Sequence, residues 1–448
     1  MRILITDVVL LPELGWPWPL ESSADHEVFA DIGVEDGVII SIQEHGDGEY
    51  ARSGQREAQQ GRWDRIIKGR GRLALPGLIN AHTHLGMSVL RGYGDDLPLM
   101  VWLREKMWPM EDQLTPEDVY WASSMAIGEM LRGGVTTCGD MYFHMDAAAQ
   151  AVCETGIRAS LSRGIQGLGG SGLKGLEEAV RFCQEWHHEA EGRITTMLGP
   201  HAPFTCPPDF LRKVVKWAEN LAVPLHIHVA ETADEVTQIR ELYGTTPLGM
   251  LAEYGALELP VMAVHCVHFT QDDVDLAREK DVRIVHCPGS NMKLGSGIAP
   301  LPELLDAGLK VGLGTDSAAS NNKLDLWEEM RFASLIHKAQ RQDATAIPGK
   351  VSLNLATSGG GETLFLEKVG KLLPGWAADL ILVEKEGLHW QPSCNVATSV
   401  VYAGQRSDVS LTMVAGRVLY EDGKLLTIDE EKVCHEVNST AGRLGLIS

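Results

Sequence analysis

Between residues 75 and 314, short apolar runs alternate with longer amphipathic stretches, and this rhythm narrows the fold more than any other feature of the chain. The runs are Leu75 to Ala81, Val135 to Asp140, Ile157 to Gly164, Thr195 to Leu198, Pro224 to Val229, Val261 to His265, Arg283 to His286 and Val311 to Gly314. Their shortness and apolar, β-branched content read as strands rather than buried helices. Helix starts fall between them. Thr115-Pro116-Glu117-Asp118 supplies a cap, a proline at the first helical position and an early acid, and Thr270-Gln271-Asp272-Asp273 repeats the cap logic. Strands separated by helices predict a parallel sheet with helices outside it. A doubly wound sheet is the rival, and the count of eight favours a (β/α)8 TIM barrel.

The two ends of the chain have a different texture. Ile3 to Leu11, Val28 to Val34 and Val38 to Ile42 read as strands, with Glu35-Asp36-Gly37 as a hairpin turn. The polar stretch Glu44 to Arg65 reads as an exposed insertion. From about residue 370 the β texture returns, in Asp379 to Val383, Val396 to Tyr402, Val409 to Val414 and Arg417 to Tyr420. One small β domain built from both termini (1–75 and 370–448) beside a barrel over 76–369 is the expected division.

Charge excludes one class of partner. The 61 acidic against 39 basic residues leave a net charge of −22, and no basic stripe offsets it, so a nucleic-acid partner is not expected. The eight cysteines form no CxxC pair and read as reduced thiols. No signal peptide or membrane span is legible, so a cytoplasmic location without a membrane partner is the expectation. A homo-oligomer is left open.

Residues that carry chemistry gather where the strands end. His82-Thr83-His84 follows the first, His201 the fourth and Asp316 the eighth; His228 ends the fifth, with Glu231 three residues on, and His265 ends the sixth. In a parallel barrel these ends share the face on which such enzymes place their sites. Side chains two apart on a strand point the same way, so His82 and His84 can grip one ion. His226 should face the interior one layer below His228. Gly167 to Gly172 fits GxGxxG, but it follows a third strand rather than opening a βαβ unit, and reads as a loop at the mouth.

The segments PGLINAHTH (76–84), HIHVAET (226–232), VHCVH (264–268), HCPGSNMKLGSGIAPL (286–301) and GTDSAASNN (314–322) together resemble the amidohydrolase superfamily, in its branch acting on heterocyclic rings. PGWAADLILV (374–383) is similar to the return into that family's composite β-sandwich. The resemblance implies metal ligands at His82, His84, His228 and Asp316, with Glu231 and His265 as acid–base residues; a carboxylate such as Asp316 can also orient the water and accept its proton. No lysine stands on the fourth strand, where binuclear relatives use one to bridge two metals, so a single divalent ion is expected. Three imidazoles and a carboxylate suit Zn2+, with Fe2+ or Mn2+ as alternatives.

The stretch from Leu90 to Glu111 resembles more narrowly the 5′-methylthioadenosine/S-adenosylhomocysteine deaminases. That implies an adenosine-type nucleoside substrate, with Glu111 receiving both ribose hydroxyls and Trp102 packing near the ligand. His201 is a further substrate contact, and Arg163 a candidate for a ligand carboxylate. Ser317 stands where the subgroup would have glycine, which predicts a different pocket floor. Two other functions compete: deamination of a free purine or pterin base or dechlorination of a triazine, and a non-catalytic scaffold barrel. Intact ligands and acid–base residues argue against the scaffold, and Glu111 separates nucleoside from free base.

Overall fold

The computed structural model describes residues 1–11, 28–45, 63–168 and 170–447. Most of the polar stretch 44–65 lies outside them, as does Gly169 of the glycine-rich loop. Eight parallel strands follow one another in chain order: Leu78–Thr83, Val135–Tyr142, Arg158–Ile165, Ile194–Pro200, Leu225–Val229, Val261–His265, Arg283–His286 and Val311–Leu313. The last strand meets the first where the Asp316 N–H donates to the His82 carbonyl at 3.0 Å. Helices cover the outside, as the barrel reading expects. Both expected caps form, Thr115 with Asp118 and Thr270 with Asp273, each as a reciprocal capping box.

Period-two alternation decides what each strand presents inward. On the fifth strand Leu225, Ile227 and Val229 join the apolar layer beneath the helices. His226 and His228 point the other way, into the interior. On the third, Ala159, Leu161 and Ile165 face the helices, while Ser162 faces inward and reaches His226.

A separate nine-stranded sheet draws on both ends of the chain. Its junction is the strand Arg72–Pro76, which runs parallel to the N-terminal strand Arg2–Leu10 (Leu10 beside Ala74) and antiparallel to Leu380–Glu384 (Ala74 beside Leu382). Ile3, Ile5, Ile32, Leu380, Leu411 and Met413 pack into a core of their own. The hairpin at Asp36-Gly37 forms with both residues left-handed (φ 48° and 84°), as that turn requires.

Two expected strands come out differently. Leu75 to Ala81 is broken at Gly77, where the chain leaves the sheet for the barrel: Pro76 has no N–H to extend the ladder, and a Cβ on Gly77 would lie 2.1 Å from Thr136 Oγ1. Val396–Tyr402 is a helix. Asn395 caps it by accepting the Thr398 N–H at 3.0 Å, and Ala397, Val400 and Val401 form its buried stripe, so helical spacing overrides β-branched content. All eight cysteines are free thiols. Among the described residues no helix is long and apolar enough to cross a membrane.

Candidate active site

Left-handed residues end three of the strands that matter. Ala230 (φ 50°), His265 (φ 71°) and Asp316 (φ 62°) turn the chain abruptly at the mouth of the barrel. Non-glycine residues hold this conformation at a cost, which concentrates at functional sites. The turns bring His82, His84, His228 and Asp316 to one point.

Their hydrogen bonds fix which nitrogen is free. The Nδ1–H of His84 donates to the Met141 carbonyl, and that of His228 to the His201 carbonyl at 2.7 Å. A carbonyl can only accept, so in the neutral form of each ring Nε2 is left to carry the lone pair. His82 Nδ1 lies 2.9 Å from His226 Nε2, and His226 Nδ1 lies 2.7 Å from Ser162 Oγ, a relay that orients His82 in the same sense. Support from His226 is the role its register suggested.

The three Nε2 atoms face a common centre. His82 Nε2 and His228 Nε2 are 3.2 Å apart, and Asp316 Oδ1 lies 3.4 Å from His82 Nε2 and 3.1 Å from His84 Nε2. Two nitrogen lone pairs at that separation repel, and a cation between them removes the conflict. Asp316 draws positive charge to the same point. Burial opposes the effect, but the hydrogen bond and charge of Asp316, with the Met141 carbonyl, raise His84 to about 9, whereas burial pushes His82 down to about 3. One donor atom from each of His82, His84 and His228 falls within 4.8 Å of the others, and His82, His265 and Asp316 form a second such group. This donor set fits a divalent metal. The other Asp316 oxygen is held by Ser290 Oγ at 2.6 Å and Ser320 Oγ at 2.7 Å.

Glu231 and His265 flank this centre, His265 Nε2 standing 3.8 Å from Glu231 Oε2. His265 Nδ1 lies 2.8 Å from Asn291 Oδ1, which orients the ring. Burial raises the Glu231 carboxyl, favouring a group able to hold a proton. Its backbone is braced by Glu235, a buried carboxyl that accepts the N–H of Ala230 at 3.0 Å and of Glu231 at 2.9 Å. Glu329 plays the matching part beneath the seventh and eighth strands, accepting from the Gly289 N–H at 2.9 Å and Asn321 Nδ2 at 2.8 Å.

A pocket opens from these residues toward solvent. Glu111, Trp102 and His201, the expected substrate contacts, all line it. Trp102 begins a π-wound segment, Trp102–Met107, within the helical stretch 99–111 that ends at Glu111. Such windings are frequent at functional sites. Enclosure raises Glu111 to about 7, with Tyr142 and His84 pulling the other way. Burial lowers His201 to about 4, so it meets a ligand as the neutral ring. Ser317 lines the floor, and its Oγ accepts the Ser320 N–H at 2.9 Å.

Arg163 is not brought in. It shares the outward parity of Leu161 and Ile165, and its guanidinium lies against the helix Gly172–Trp186, paired with Glu178 at 2.7 Å. It lines a neighbouring cavity behind Phe143 instead. The sequence reading did not single out Ser290, Asn291, Ser320, Glu235 or Glu329. The first three lie inside the strand-end motifs already quoted, where a small polar residue beside a ligand is the available signal.

A sequence profile described as the Amidohydrolase family matches residues 73–419. The chain is 47% identical over 428 residues to a 5-methylthioadenosine/S-adenosylhomocysteine deaminase of Pelotomaculum thermopropionicum, covering 93% of this chain and 99% of the relative. Among solved structures it is similar to an adenosine deaminase from Xanthomonas campestris with bound zinc (TM-score 0.89, 32% identity, 99% of each chain). It also resembles the atrazine chlorohydrolase of Arthrobacter aurescens complexed with zinc (TM-score 0.85, 25% identity, 98% of this chain and 99% of that one).

Proposed function

The chain belongs to the amidohydrolase family, and from that premise we propose that it hydrolyses the exocyclic amine of an adenosine-type nucleoside, giving the inosine analogue and ammonia. Substrates in this class are 5′-methylthioadenosine, S-adenosylhomocysteine, adenosine and 5′-deoxyadenosine. The observation that carries the reading is that one pocket is lined by both the His–Asp centre and the Glu111 carboxylate. A carboxylate is the natural acceptor for two vicinal hydroxyls, which a ribose has and a free base or triazine lacks.

His82, His84, His228 and Asp316 would hold one divalent ion, which we assign as Zn2+. When bound, it supplies a Lewis acid that makes water acidic near neutral pH. Glu231 hands a proton to the ring nitrogen beside the amine-bearing carbon, making that carbon electrophilic. Asp316 takes the proton of the attacking water and delivers it to the departing amine. A C–O bond forms, the C–N bond breaks, ammonia leaves, and the hydroxyl proton left on that carbon returns to Glu231 as the carbonyl forms. His265, oriented by Asn291, turns Nε2 toward the attacking water and hydrogen-bonds it, Nε2 being the acceptor in the neutral ring because Nδ1–H is given to the Asn291 oxygen. His201, kept neutral by burial, contacts the purine, and Trp102 packs against the nucleoside.

Ammonia release from the nucleosides and free bases, with chloride release from atrazine, decides the matter. Purified protein given adenosine, 5′-methylthioadenosine, adenine, guanine and atrazine should act on the two nucleosides. Turnover of a free base or of atrazine, with both nucleosides untouched, would replace this function by its competitor.

A further inference from the structure

The helical stretch that presents Trp102 and Glu111 is reached through the loop Arg91 to Pro98, and one acid on that loop is gripped from across the barrel mouth. Lys293 Nζ lies 2.7 Å from Asp95 Oδ1, also donates to the Ala319 carbonyl at 3.1 Å, and bonds Asn322 Oδ1. Asn322 Nδ2 completes the triangle to Asp95 Oδ2 at 3.2 Å. Arg91 holds the Asn322 carbonyl at 2.7 Å, so that residue is fixed at both ends. Asp95 and Lys293 keep 35% and 22% of their side-chain surface exposed, too wet for the ion pair to matter as bulk stability.

What it joins gives it meaning. Gly94, next to Asp95, is left-handed at φ 79°, and a Cβ there would fall 2.9 Å from Lys106 Cγ and 3.4 Å from Trp102 Cδ1. The loop thus lies against the wall of the pocket. Lys293 ends the short helix Pro288–Lys293, whose Ser290 holds Asp316 and whose Asn291 holds His265. One six-residue helix therefore touches the reacting end of the pocket at two positions and the cover at a third.

We propose that Asp95, Lys293 and Asn322 form a clasp that fastens the cover segment 91–111 over the pocket and so sets its grip on the ribosyl part of the substrate. They are positioning residues: they act through Trp102 and Glu111. The proposal rests on the nucleoside reading for its kinetic arm alone.

The test uses the metal-loaded full chain with Asp95→Ala, Lys293→Met and the double variant. Each single change should raise KM for adenosine at least about fivefold while kcat stays within about twofold, and the double should be no worse than the poorer single, as expected for one shared interaction. Raising salt from about 0.05 to about 0.5 M should raise the parent's KM and leave that of Lys293→Met unchanged, because the exposed pair is screened. Amide hydrogen exchange, read without substrate, should quicken across 91–111 in both variants. Parent-like KM and parent-like exchange in both variants would overturn the clasp, as would a parent KM indifferent to salt, a readout that needs no variant to fold. If the parent deaminates no nucleoside, the function above fails while the exchange measurement still decides the clasp.

Discussion

Glu231 and Asp316 stand at the same centre and have opposite neighbours. Burial raises Glu231, whereas Asp316, despite burial, is held well below the usual carboxylate range by its bonds to His82 and His84. Glu231→Gln and Asp316→Asn should each cut kcat by at least about 100-fold, since each removes proton transfer. Metal analysis should separate them, with Glu231→Gln keeping its ion and Asp316→Asn losing it; equal loss in both would reverse the roles. Glu111 gives a pH prediction with a definite sign. Its enclosed carboxyl is raised to about 7, and in the proposed role only the ionised form offers both oxygens as acceptors to the two ribose hydroxyls. The kcat/KM advantage of adenosine over 2′-deoxyadenosine should therefore be full above pH 7 and fade as the pH falls through it. Glu111→Ala should lower kcat/KM on adenosine at least about tenfold, at about 1.5–3 kcal/mol for each hydrogen bond to a charged group. A discrimination flat from pH 5.5 to 8.5 would remove Glu111 from the ribose. At this scale the clustering is legible in the sequence, because His82, His84, His228, His265 and Asp316 all stand at or just past strand ends that share one face of the barrel. Arg163 was misplaced for want of one step: Ser162 faces inward, so its neighbour on the strand cannot.

Short elements carry the bracing that the motifs conceal. Gly289 opens the Ser290–Asn291 turn against Glu329, and a Cβ there would come 2.4 Å from Glu329 Oε1, a group with no room to retreat. Gly289→Ala should cost about 1–3 kcal/mol of stability by overpacking and lower kcat more than it raises KM, because Ser290 and Asn291 move with it. Thermal melting beside steady-state kinetics checks both; a parent-like melt would mean that the turn yields. Elements were read well where periodicity was unambiguous, as on the fifth and sixth strands. They were misread where local chemistry outweighed it. In Val396–Tyr402 the β-branched residues that suggested a strand supply a helical stripe once Asn395 caps it. At Gly77 a single run of apolar residues serves two different sheets.

The molecule as a whole is held across its two sheets by Arg158 and Asp379, paired at 2.7 Å with Asp379 only 1% exposed. Asp379 also accepts the Ala415 N–H at 2.6 Å, so the ion pair joins the third barrel strand to the far part of the nine-stranded sheet. Arg158→Ala would strand a buried carboxylate and should cost about 3–5 kcal/mol, whereas Arg158→Ala with Asp379→Asn should recover much of it. Urea unfolding of the three proteins measures this, and an Arg158→Ala loss that the second change fails to ease would show packing rather than charge to be at stake. That the termini share a sheet could be read from their common texture. The branching at Arg72–Pro76 could not, since pairing between strands so far apart leaves no periodic trace in either.

That pairing also sets an order of assembly. Ala74 waits for Leu382, 308 residues later, before its antiparallel neighbour exists. At about 5–20 residues per second on the ribosome this is a delay of roughly 15–60 seconds. The barrel strands emerge within that interval, in the order in which they lie side by side, and each finds its neighbour already made. The nascent chain can thus shape its catalytic half first, while the strand that leads into it keeps one edge open until synthesis has passed Glu384.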